Sequence, residues 1–232
     1  MKTIAVVHAK GTSERLPNKN LKELGGLPLI AHAIINARDS IADKVVIDSE
    51  DAEILEVGTA FGAEPLERSP YLSRNEITGD DLAYWQAQNF PDYDIIVQVV
   101  PTSPFTKPET INKCIGDIRL GNNSCFTMSG ERLYTWEQNE ANILYPGYYE
   151  NKRLLNSFEL PVTYIEHTGV YAFKTSFALE HKKRIDIYNF GAVLIDSTEK
   201  IDINYEEDFE FAEIVWRGLQ HSKTNIEIHV AL

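Results

Sequence analysis

Hydrophobic positions divide the chain into short apolar runs that alternate with apolar stripes at helical spacing. Nearly continuous apolar runs predict buried strands at residues 3–7, 44–48 and 94–100. Apolar residues at helical spacing predict helices over residues 28–38, around 54–61 and from 108 to 120. Because strands and helices alternate, the pattern predicts βαβ units and a mainly parallel sheet.

The second half of the chain is less regular. Short apolar runs predict strands at 124–128, 168–173 and 190–195. Polar and apolar positions alternate over 201–204, which places Asp202 and Asn204 on one face. A helix with an apolar stripe begins near Glu206, and alternation over 225–231 predicts a terminal edge strand. Residues 63–81 carry no clear period and are predicted to be irregular.

Between residues 130 and 167 the pattern changes, and large aromatic side chains replace the helical period. Aromatic residues of this kind are enriched at protein interfaces. The stretch therefore predicts either a segment used in dimerisation or an insertion packed on its own domain.

A long polar loop, residues 8–20, separates the first strand from the first helix. Loops at the carboxyl ends of parallel strands are where open α/β sheets bind ligands. Gly11 permits a close turn, and backbone amides near Thr12 and Ser13 can donate to oxygen atoms. Three cations within ten residues, Lys10, Arg15 and Lys19, favour a polyphosphate ligand. The alternative is a basic, solvated surface loop.

The charge balance strengthens the ligand interpretation. The 232-residue chain has 35 acidic and 22 basic residues, a formal charge of −13, yet residues 9–22 hold four cations and one acid. The acidic total argues against a nucleic-acid binder. No apolar run approaches the roughly 18 residues of a membrane span, so we expect a cytoplasmic protein without membrane contact. Cys114 and Cys125 are interpreted as reduced, structural thiols.

The third predicted strand runs directly into Pro101-Thr102-Ser103-Pro104. Two prolines cannot extend a central strand, so the chain must turn at the sheet edge that also carries the polar loop. The motif is either part of the same ligand site or a rigid turn without ligand contact.

The polar loop and this turn together resemble the CMP-sialic acid synthetase family, the acylneuraminate cytidylyltransferases, which includes the nonulosonic-acid cytidylyltransferases. The family loop reads Ala-Arg-x-Gly-Ser-x-Arg-x-Pro-x-Lys-Asn, with Lys10 here in place of Arg, and the Pro-Thr-Ser-Pro turn matches fully. The resemblance implies a three-layer αβα nucleotide-diphospho-sugar transferase-like fold. It also implies transfer of CMP from CTP to a sialic acid-like sugar acid, with release of pyrophosphate.

The resemblance assigns roles to individual positions. Lys19, Arg15 and Asp202 are the expected catalytic residues, and removal of the loop residue Lys19 is expected to leave the fold intact. The expected nucleotide-binding residues are Lys10, Gly11, Thr12, Ser13, Arg15, Lys19, Asn20 and Thr78. The expected substrate-binding residues are Arg68, Val100, Thr102, Ser103 and Thr168, although Arg68 could equally pair with a surface carboxylate.

For the metal, the family uses Asp-x-Asp to hold Mg²⁺, and the corresponding residues here are Asp202 and Asn204. One carboxylate and one amide oxygen can still bind Mg²⁺, with lower affinity. Asp202 could instead be a plain strand-end carboxylate, in which case Asp48, Asp51 or Glu206 would be the next candidates. Asp51 is otherwise expected to complement the start of the second helix.

The family also implies a homodimer, built by residues 130–167 inserted in a single domain of residues 1–232. Two departures leave the acceptor open, because Val100 replaces a family Gln and Thr168 replaces a family Asn. The acceptor could be a phosphonate, another small acid or an eight-carbon sugar acid, although the enzymes for that sugar usually have Lys-Pro at the place of Lys19-Asn20. A non-catalytic nucleotide-binding paralogue that has lost a metal ligand at Asn204 is the remaining alternative.

Overall fold

A computed structural model describes the backbone of residues 1–147, 149–150 and 153–230. The strands are β1 (Thr3–His8), β2 (Glu23–Leu24), β3 (Leu27–Pro28), β4 (Lys44–Ser49), β5 (Glu64–Glu67), β6 (Ile95–Val99), β7 (Ser124–Glu131), β8 (Trp136–Gln138), β9 (Leu144–Pro146), β10 (Tyr149–Glu150), β11 (Arg153–Leu154), β12 (Thr163–Lys174) and β13 (Phe190–Leu194). The α-helices are α1 (Leu29–Arg38), α2 (Ala52–Ala60), α3 (Gly79–Asn89), α4 (Pro108–Arg119), α5 (Thr175–His181) and α6 (Glu206–Val230).

Seven strands form the central sheet in the order β13-β7-β12-β6-β1-β4-β5. Strand β1 pairs in parallel with both β4 and β6, as expected for βαβ units. Strand β12 runs antiparallel to its neighbours, β6 and β7. The other pairings in this sheet are parallel. The predicted mainly parallel α/β fold is therefore confirmed.

Helices cover both faces of this sheet, which gives three layers. Apolar side chains of β1, β4 and β6 pack on one face with α1 and α4, where Ile34 and Ile115 are fully buried. The opposite face is covered by α3 and α5, whose Ala83 and Ala178 meet Ile96 and Phe173. Along each strand successive side chains point to opposite faces, so residues two positions apart lie on the same face of the sheet.

Two parts of the prediction are wrong. The strand expected at 225–231 is instead the end of α6 as far as Val230, and residue 231 lies outside the described residues. Six alternating residues fit either structure, and no proline separates them from the helix that begins at Glu206. Residues 63–81 are also not irregular throughout, since they contain β5, a 3-10 helix at Pro70–Ser73 and the start of α3.

Strand β12 contains a bulge where it passes the Pro-Thr-Ser-Pro turn. His167 is opposite Thr127, whereas Tyr171 is opposite the adjacent Phe126, so three residues of β12 lie between consecutive partners. The Val100 amide donates to the Gly169 carbonyl oxygen at 3.0 Å within this bulge. A Cβ on Gly169 would lie 3.0 Å from Thr106 Oγ1, so glycine allows the turn to approach closely. The bulge divides β12 into a buried end and an end leading away from the core.

The two cysteines lie on facing elements of the core, as predicted. Cys114 is on α4 and Cys125 on β7, and both are free thiols buried from solvent. A hydrogen bond with Cys114, together with burial, raises the pKa of the Cys125 thiol. Both are therefore inert packing residues.

In the part of the chain that the structure describes, no helix is both long enough and apolar enough to cross a membrane.

Candidate active site

Three segments that are far apart in sequence meet at the carboxyl edge of the sheet. The Ile203 amide donates to the Thr102 carbonyl oxygen at 2.8 Å, and the Thr102 hydroxyl donates to the Asp202 carboxylate. Lys19 Nζ donates to the Ile203 carbonyl oxygen at 2.8 Å. The polar loop, the Pro-Thr-Ser-Pro turn and the Asp202 segment are thus joined by direct hydrogen bonds.

The polar loop and the Pro-Thr-Ser-Pro turn line a cavity of about 580 Å³, which we call the main cavity, and the Asp202 segment is joined to that lining through Lys19 and Thr102. Its volume lies within the roughly 300–1,000 Å³ that is typical of small-molecule sites. The residues that line it include His8, Lys10, Ser13, Arg15, Lys19, Asn20, Arg68, Val100 and Thr102.

The three loop cations differ in their surroundings. Arg15 is exposed, with its guanidinium carbon 5.5 Å from the Tyr205 ring centroid, and Lys10 Nζ donates to Asn75 Oδ1 at 2.9 Å. Lys19 is buried. Burial lowers the pKa of the Lys19 ammonium, Asp202 opposes that shift, and Arg15 and Lys10 reinforce it. Lys10 bonds to a neutral amide, Lys19 to a carbonyl oxygen, and Arg15 lies over an aromatic ring, so the three positive charges make this end of the cavity suited to a polyphosphate.

The buried position of Lys19 corrects the expectation that it contributes little to the core. One of its three ammonium protons is donated to a buried backbone carbonyl, which leaves donors for phosphate oxygens. Lys19 therefore both supports the Asp202 segment and faces the main cavity.

Other loop residues brace the backbone. Asn20 Nδ2 donates to the Lys10 carbonyl oxygen at 2.9 Å, and the Gly11 amide donates to Glu50 Oε1 at 2.8 Å. A Cβ on Gly11 would lie 2.3 Å from Asp51 Oδ2, so the loop has no room for a side chain there. Gly11 and Thr12 are not among the residues that line the main cavity, and Thr12 borders a separate depression beside Glu50.

Arg68 is held by internal carboxylates. Its Nη1 lies 3.3 Å from Asp48 Oδ1, its Nη2 lies 3.1 Å from Glu50 Oε2, and Nη2 also donates to the Ala9 carbonyl oxygen at 2.9 Å. Since Asp48 is fully buried, the partner is not a surface carboxylate. Arg68 lines the main cavity, but its hydrogen bonds already fix the loop to β4.

The remaining predicted residues are placed differently. Thr78 caps α3 in a capping box with Asp81 and borders a second depression, so the structure does not bring it to the main cavity. Thr168 is exposed in the bulge of β12, and Ser103 is buried beneath the turn. Val100 and Thr102 line the main cavity.

The residues proposed for a metal provide a small set of oxygen atoms. Among the described residues, no three His, Cys, Asp or Glu side chains converge as a ready metal site. Magnesium commonly uses only one or two carboxylates together with water and substrate phosphates, and Asp202 meets that requirement. Asn204 Nδ2 donates to Asp202 Oδ2 at 2.7 Å, which confirms that the two side chains share a side. Residues 201–204 have no assigned secondary structure and are not paired with any strand that the structure describes.

The other carboxylates considered for the metal have structural partners. Asp48 binds Arg68 and Gln86, while Glu206 pairs with Lys22. Asp51 Oδ1 accepts from the Glu53 amide at 2.9 Å and the Ile54 amide at 3.1 Å, which confirms its role at the start of α2. Asp202, which is hydrogen-bonded to the lining residue Thr102, is therefore the carboxylate that we expect would hold a Mg²⁺ ion beside the main cavity.

A buried polar network on the α3 face was not predicted from the sequence. Gln86 Nε2 donates to Asp48 Oδ2 at 2.8 Å, and Gln98 Nε2 donates to Gln86 Oε1 at 2.9 Å. Arg184 Nη1 then donates to Gln98 Oε1 at 3.2 Å. Burial raises the pKa of Asp48, while Arg68 and Gln86 oppose the shift. A polar Gln98 within an otherwise apolar strand was the signal available in the sequence.

His8 ends β1 and lines the main cavity. Its Nδ1 atom is buried and has no hydrogen-bond partner among the described residues. Burial, reinforced by the positive charges of Arg68 and Arg184, lowers the pKa of His8 from 6.5 to about 3. The imidazole is therefore neutral at physiological pH and offers a polar atom to the cavity.

The lowered pKa of His8 predicts that mild acid destabilises the protein. The unfolded chain takes up a proton on His8 near pH 6.5, whereas the folded chain does so only near pH 3, so stability falls as the pH drops through 6.5. Between pH 7 and 5.5 this contribution is about 1 kcal/mol. We expect urea unfolding to show that, between pH 7 and pH 5.5, the free energy of unfolding falls by about 1 kcal/mol less in His8→Gln than in the parent protein. An equal loss in the two proteins would contradict the assignment.

This arrangement defines a three-layer α/β domain with a cationic cavity at the carboxyl edge of a mainly parallel sheet. The structure is similar to that of a CMP:2-keto-3-deoxy-manno-octonic acid synthetase complexed with CTP, with a TM-score of 0.68, 15% identity and coverage of 94% of this chain and 99% of that chain. It is also similar to 4-diphosphocytidyl-2C-methyl-D-erythritol synthase from Anaerococcus prevotii, with a TM-score of 0.69, 13% identity and coverage of 93% and 96%. At such low identity these likenesses establish the fold.

The sequence comparison is more specific. The family profile described as Cytidylyltransferase matches residues 4–220, and the chain belongs to that family. The predicted enzyme class, a CTP-dependent nucleotidyltransferase, is thereby confirmed.

Two relatives align along nearly their full length. CMP-N,N'-diacetyllegionaminic acid synthase of Legionella pneumophila is 27% identical over 227 residues, covering 92% of this chain and 95% of that protein. Pseudaminic acid cytidylyltransferase of Campylobacter jejuni is 27% identical over 232 residues, covering 94% and 97%. N-acylneuraminate cytidylyltransferase B of Danio rerio is 30% identical over 139 residues, covering 60% of this chain and 33% of that protein.

Proposed function

We propose that this protein transfers CMP from CTP to a nonulosonic acid, a nine-carbon sialic acid-like sugar acid, and releases pyrophosphate. The observation that carries the proposal is that the Asp202 segment is hydrogen-bonded to Lys19 and Thr102, two residues that line the main cavity. The bond from Lys19 joins the cationic loop to this segment across more than 180 residues of sequence. Such an arrangement is suited to a triphosphate held by the cationic loop.

The chemistry needs alignment and charge stabilisation more than covalent help. An acceptor oxygen forms a bond to the α-phosphorus, the bond from that phosphorus to the pyrophosphate breaks, and the acceptor proton leaves to solvent. Lys10, Arg15 and Lys19 stabilise the negative charge on the phosphate oxygens as it redistributes. When bound by Asp202, Mg²⁺ would supply further positive charge to the phosphates. Asn20 holds the loop backbone in place during this process.

The nature of the acceptor is inferred from the relatives with the widest coverage. The two relatives that cover 92% and 94% of this chain are named for legionaminic and pseudaminic acids. A 3-deoxy-manno-octulosonate cytidylyltransferase of Yersinia pestis is 25% identical and covers 76%. The wider coverage by the first two relatives favours a nine-carbon acid as the acceptor. The eight-carbon sugar acid remains the second candidate.

The proposal is tested by pyrophosphate release from CTP and Mg²⁺ with a panel of acids. The panel contains N-acetylneuraminic, pseudaminic, N,N'-diacetyllegionaminic and 3-deoxy-manno-octulosonic acids, with a small phosphonate as the outlying member. We expect the highest kcat/KM with one of the nine-carbon acids. If a phosphonate or the octulosonic acid is the best substrate, the proposed acceptor is wrong, whereas the proposed transfer of CMP from CTP still holds.

Binding of CTP, measured by calorimetry without acceptor, separates the enzyme from a non-catalytic paralogue. Binding without turnover on every acid would support the paralogue and overturn the proposal. The cytoplasmic location and the lack of nucleic-acid partners inferred from composition stay predictions.

A homodimer is also part of the proposal. The segment from 130 to 167 contains β8 and β9 and exposes many apolar side chains. Those more than half exposed include Trp136, Ile143, Leu144, Leu154, Phe158 and Tyr164. Exposed apolar surface of this kind marks an interaction site, and aromatic residues are enriched at such sites.

We therefore expect a dimer at micromolar concentration. Multi-angle light scattering of the parent protein should give twice the chain mass of 26.3 kDa. Phe158→Asp, at an exposed position, should shift the equilibrium towards monomer, and Leu120→Asp, also exposed but outside the segment, is the matched control. A monomer across the micromolar range would defeat the dimer prediction.

A further inference from the structure

We propose that Arg184 binds the carboxylate of the acceptor acid, an assignment that rests on the proposed function. Arg184 follows α5 and lies in a second depression of about 470 Å³, bordered also by Gly79, Phe126, Glu166 and Phe190. The residue was not singled out by any sequence motif.

The guanidinium of Arg184 is rigidly held. Its central carbon lies 3.6 Å from the centroid of the buried Tyr171 ring, and Nη1 donates to Gln98 Oε1 at 3.2 Å. The backbone amide of Arg184 donates to Asp80 Oδ1 at 2.9 Å. A Cβ on Gly79 would lie 2.4 Å from the guanidinium carbon, so this close packing requires glycine at the start of α3.

Despite this support, the charge of Arg184 is not neutralised within the described residues. No carboxylate there forms an ion pair with the guanidinium, and the one side-chain partner, Gln98, is neutral. Two carboxylates border the same depression, and neither pairs with the guanidinium: Asp80 Oδ1 accepts the backbone amide of Arg184 at 2.9 Å, and Glu166 Oε1 accepts the Tyr171 hydroxyl at 2.6 Å. Arg68 differs from Arg184, because its guanidinium already forms ion pairs with Asp48 and Glu50. A planar, pre-positioned guanidinium with free donors is suited to bidentate binding of a carboxylate.

Arg184 is also close enough to the main cavity to act on the same substrate. Ile77 lines the main cavity, and the next residue along the chain, Thr78, lines the depression that contains Arg184. The two depressions are therefore neighbours at the start of α3. An acid whose carboxylate lies on Arg184 can therefore direct a hydroxyl towards CTP in the main cavity.

Arg184 can also supply the polar interaction that Val100 is unable to make with an acid. An apolar Val100 cannot donate to a carboxylate, whereas Gln98, two residues earlier on the same face, orients the arginine that can. The apolar rings of Phe126 and Phe190, which stack with centroids 5.4 Å apart, also line the depression and can contact the non-polar substituents of a sugar acid.

The test compares Arg184→Gln with the parent protein on the best acid of the panel and on its carboxamide. We expect Arg184→Gln to raise KM for the acid about 10- to 100-fold, the usual range for a hydrogen bond to a charged group, and to leave KM for CTP unchanged. The parent protein should discriminate against the carboxamide by a similar factor, and the variant should treat acid and carboxamide alike. Arg217→Gln, which removes an arginine paired with Glu213 on α6, is the control.

Several outcomes would overturn the assignment. A parallel rise of KM for CTP, or a variant that keeps the parent's preference for the acid, would mean that the carboxylate is bound elsewhere. If Arg184→Gln does not fold, Arg184→Lys decides, since it keeps the charge without the planar fork and should give an intermediate KM. Calorimetric binding of the acid in the presence of CTP separates this inference from the proposed function, because binding that disappears in Arg184→Gln supports Arg184 even without turnover.

Discussion

Asp202→Asn is expected to nearly abolish pyrophosphate release at any practical Mg²⁺ concentration, while the protein stays folded. The substitution preserves shape and still lets Oδ1 accept the Thr102 hydroxyl, but it removes the negative charge bonded to Thr102, a residue that lines the main cavity. A metal or charge that stabilises the transition state contributes several kcal/mol, so the loss in kcat should be at least about 100-fold. Asp39→Asn, at an exposed position after α1, is the matched control.

Asn204→Asp should act in the opposite direction. In the present structure the Asn204 amide donates to Asp202 Oδ2 at 2.7 Å, and a second carboxylate there would replace this bond by repulsion unless a cation lies between them. We therefore expect a lower half-saturating Mg²⁺ concentration in the assay. Thermal unfolding should show a lower Tm than the parent without Mg²⁺ and a larger rise in Tm when Mg²⁺ is added.

The pair of variants also tests the placement of the metal. If Asp202→Asn is harmless and Asn204→Asp leaves the metal dependence unchanged, residues 201–204 are a plain structural segment. The ion would then depend on substrate phosphates alone, because Asp48, Asp51 and Glu206 are held by structural partners.

Lys19→Ala is expected to have the second largest effect, with two separable parts. Loss of the ammonium should cost about 1.5 to 3 kcal/mol in CTP binding and turnover, the range for hydrogen bonds to charged groups. Because Lys19 also donates to the Ile203 carbonyl oxygen, the variant should lose about 1 to 3 kcal/mol of unfolding free energy. Calorimetric CTP binding, steady-state kinetics and urea unfolding measure these contributions.

Lys19→Gln distinguishes the two parts. A glutamine amide can still donate to the Ile203 carbonyl, so this variant should recover stability while CTP affinity stays low. Lys22→Gln removes a neighbouring lysine that pairs with Glu206 outside the main cavity, and it should bind CTP normally. Unchanged kinetics in a folded Lys19 variant would exclude the phosphate loop assignment.

The sequence predicted the parts of the site that depend on local chain chemistry. The run of β-branched residues in β1 and β6, and the prolines after β6, fix where strands end, and strand ends fix where a parallel sheet binds ligands. Lys10, Arg15, Lys19 and Thr102 were therefore found in advance at one cavity. Helix α3 was missed because its buried positions are Ala83, Gln86 and Ala87, which are too small or too polar to form an apolar stripe.

Other features depended on the partner that each side chain meets, and only the tertiary structure decided them. Arg68 and Arg184 look alike in the sequence, yet Arg68 meets two carboxylates while Arg184 meets a neutral amide and an aromatic ring. Thr78 looked like a ligand-binding hydroxyl, but it caps a helix. The reason is that local periodicity is set within a few residues along the chain, whereas charge pairing and burial are set between residues that fold together from distant positions.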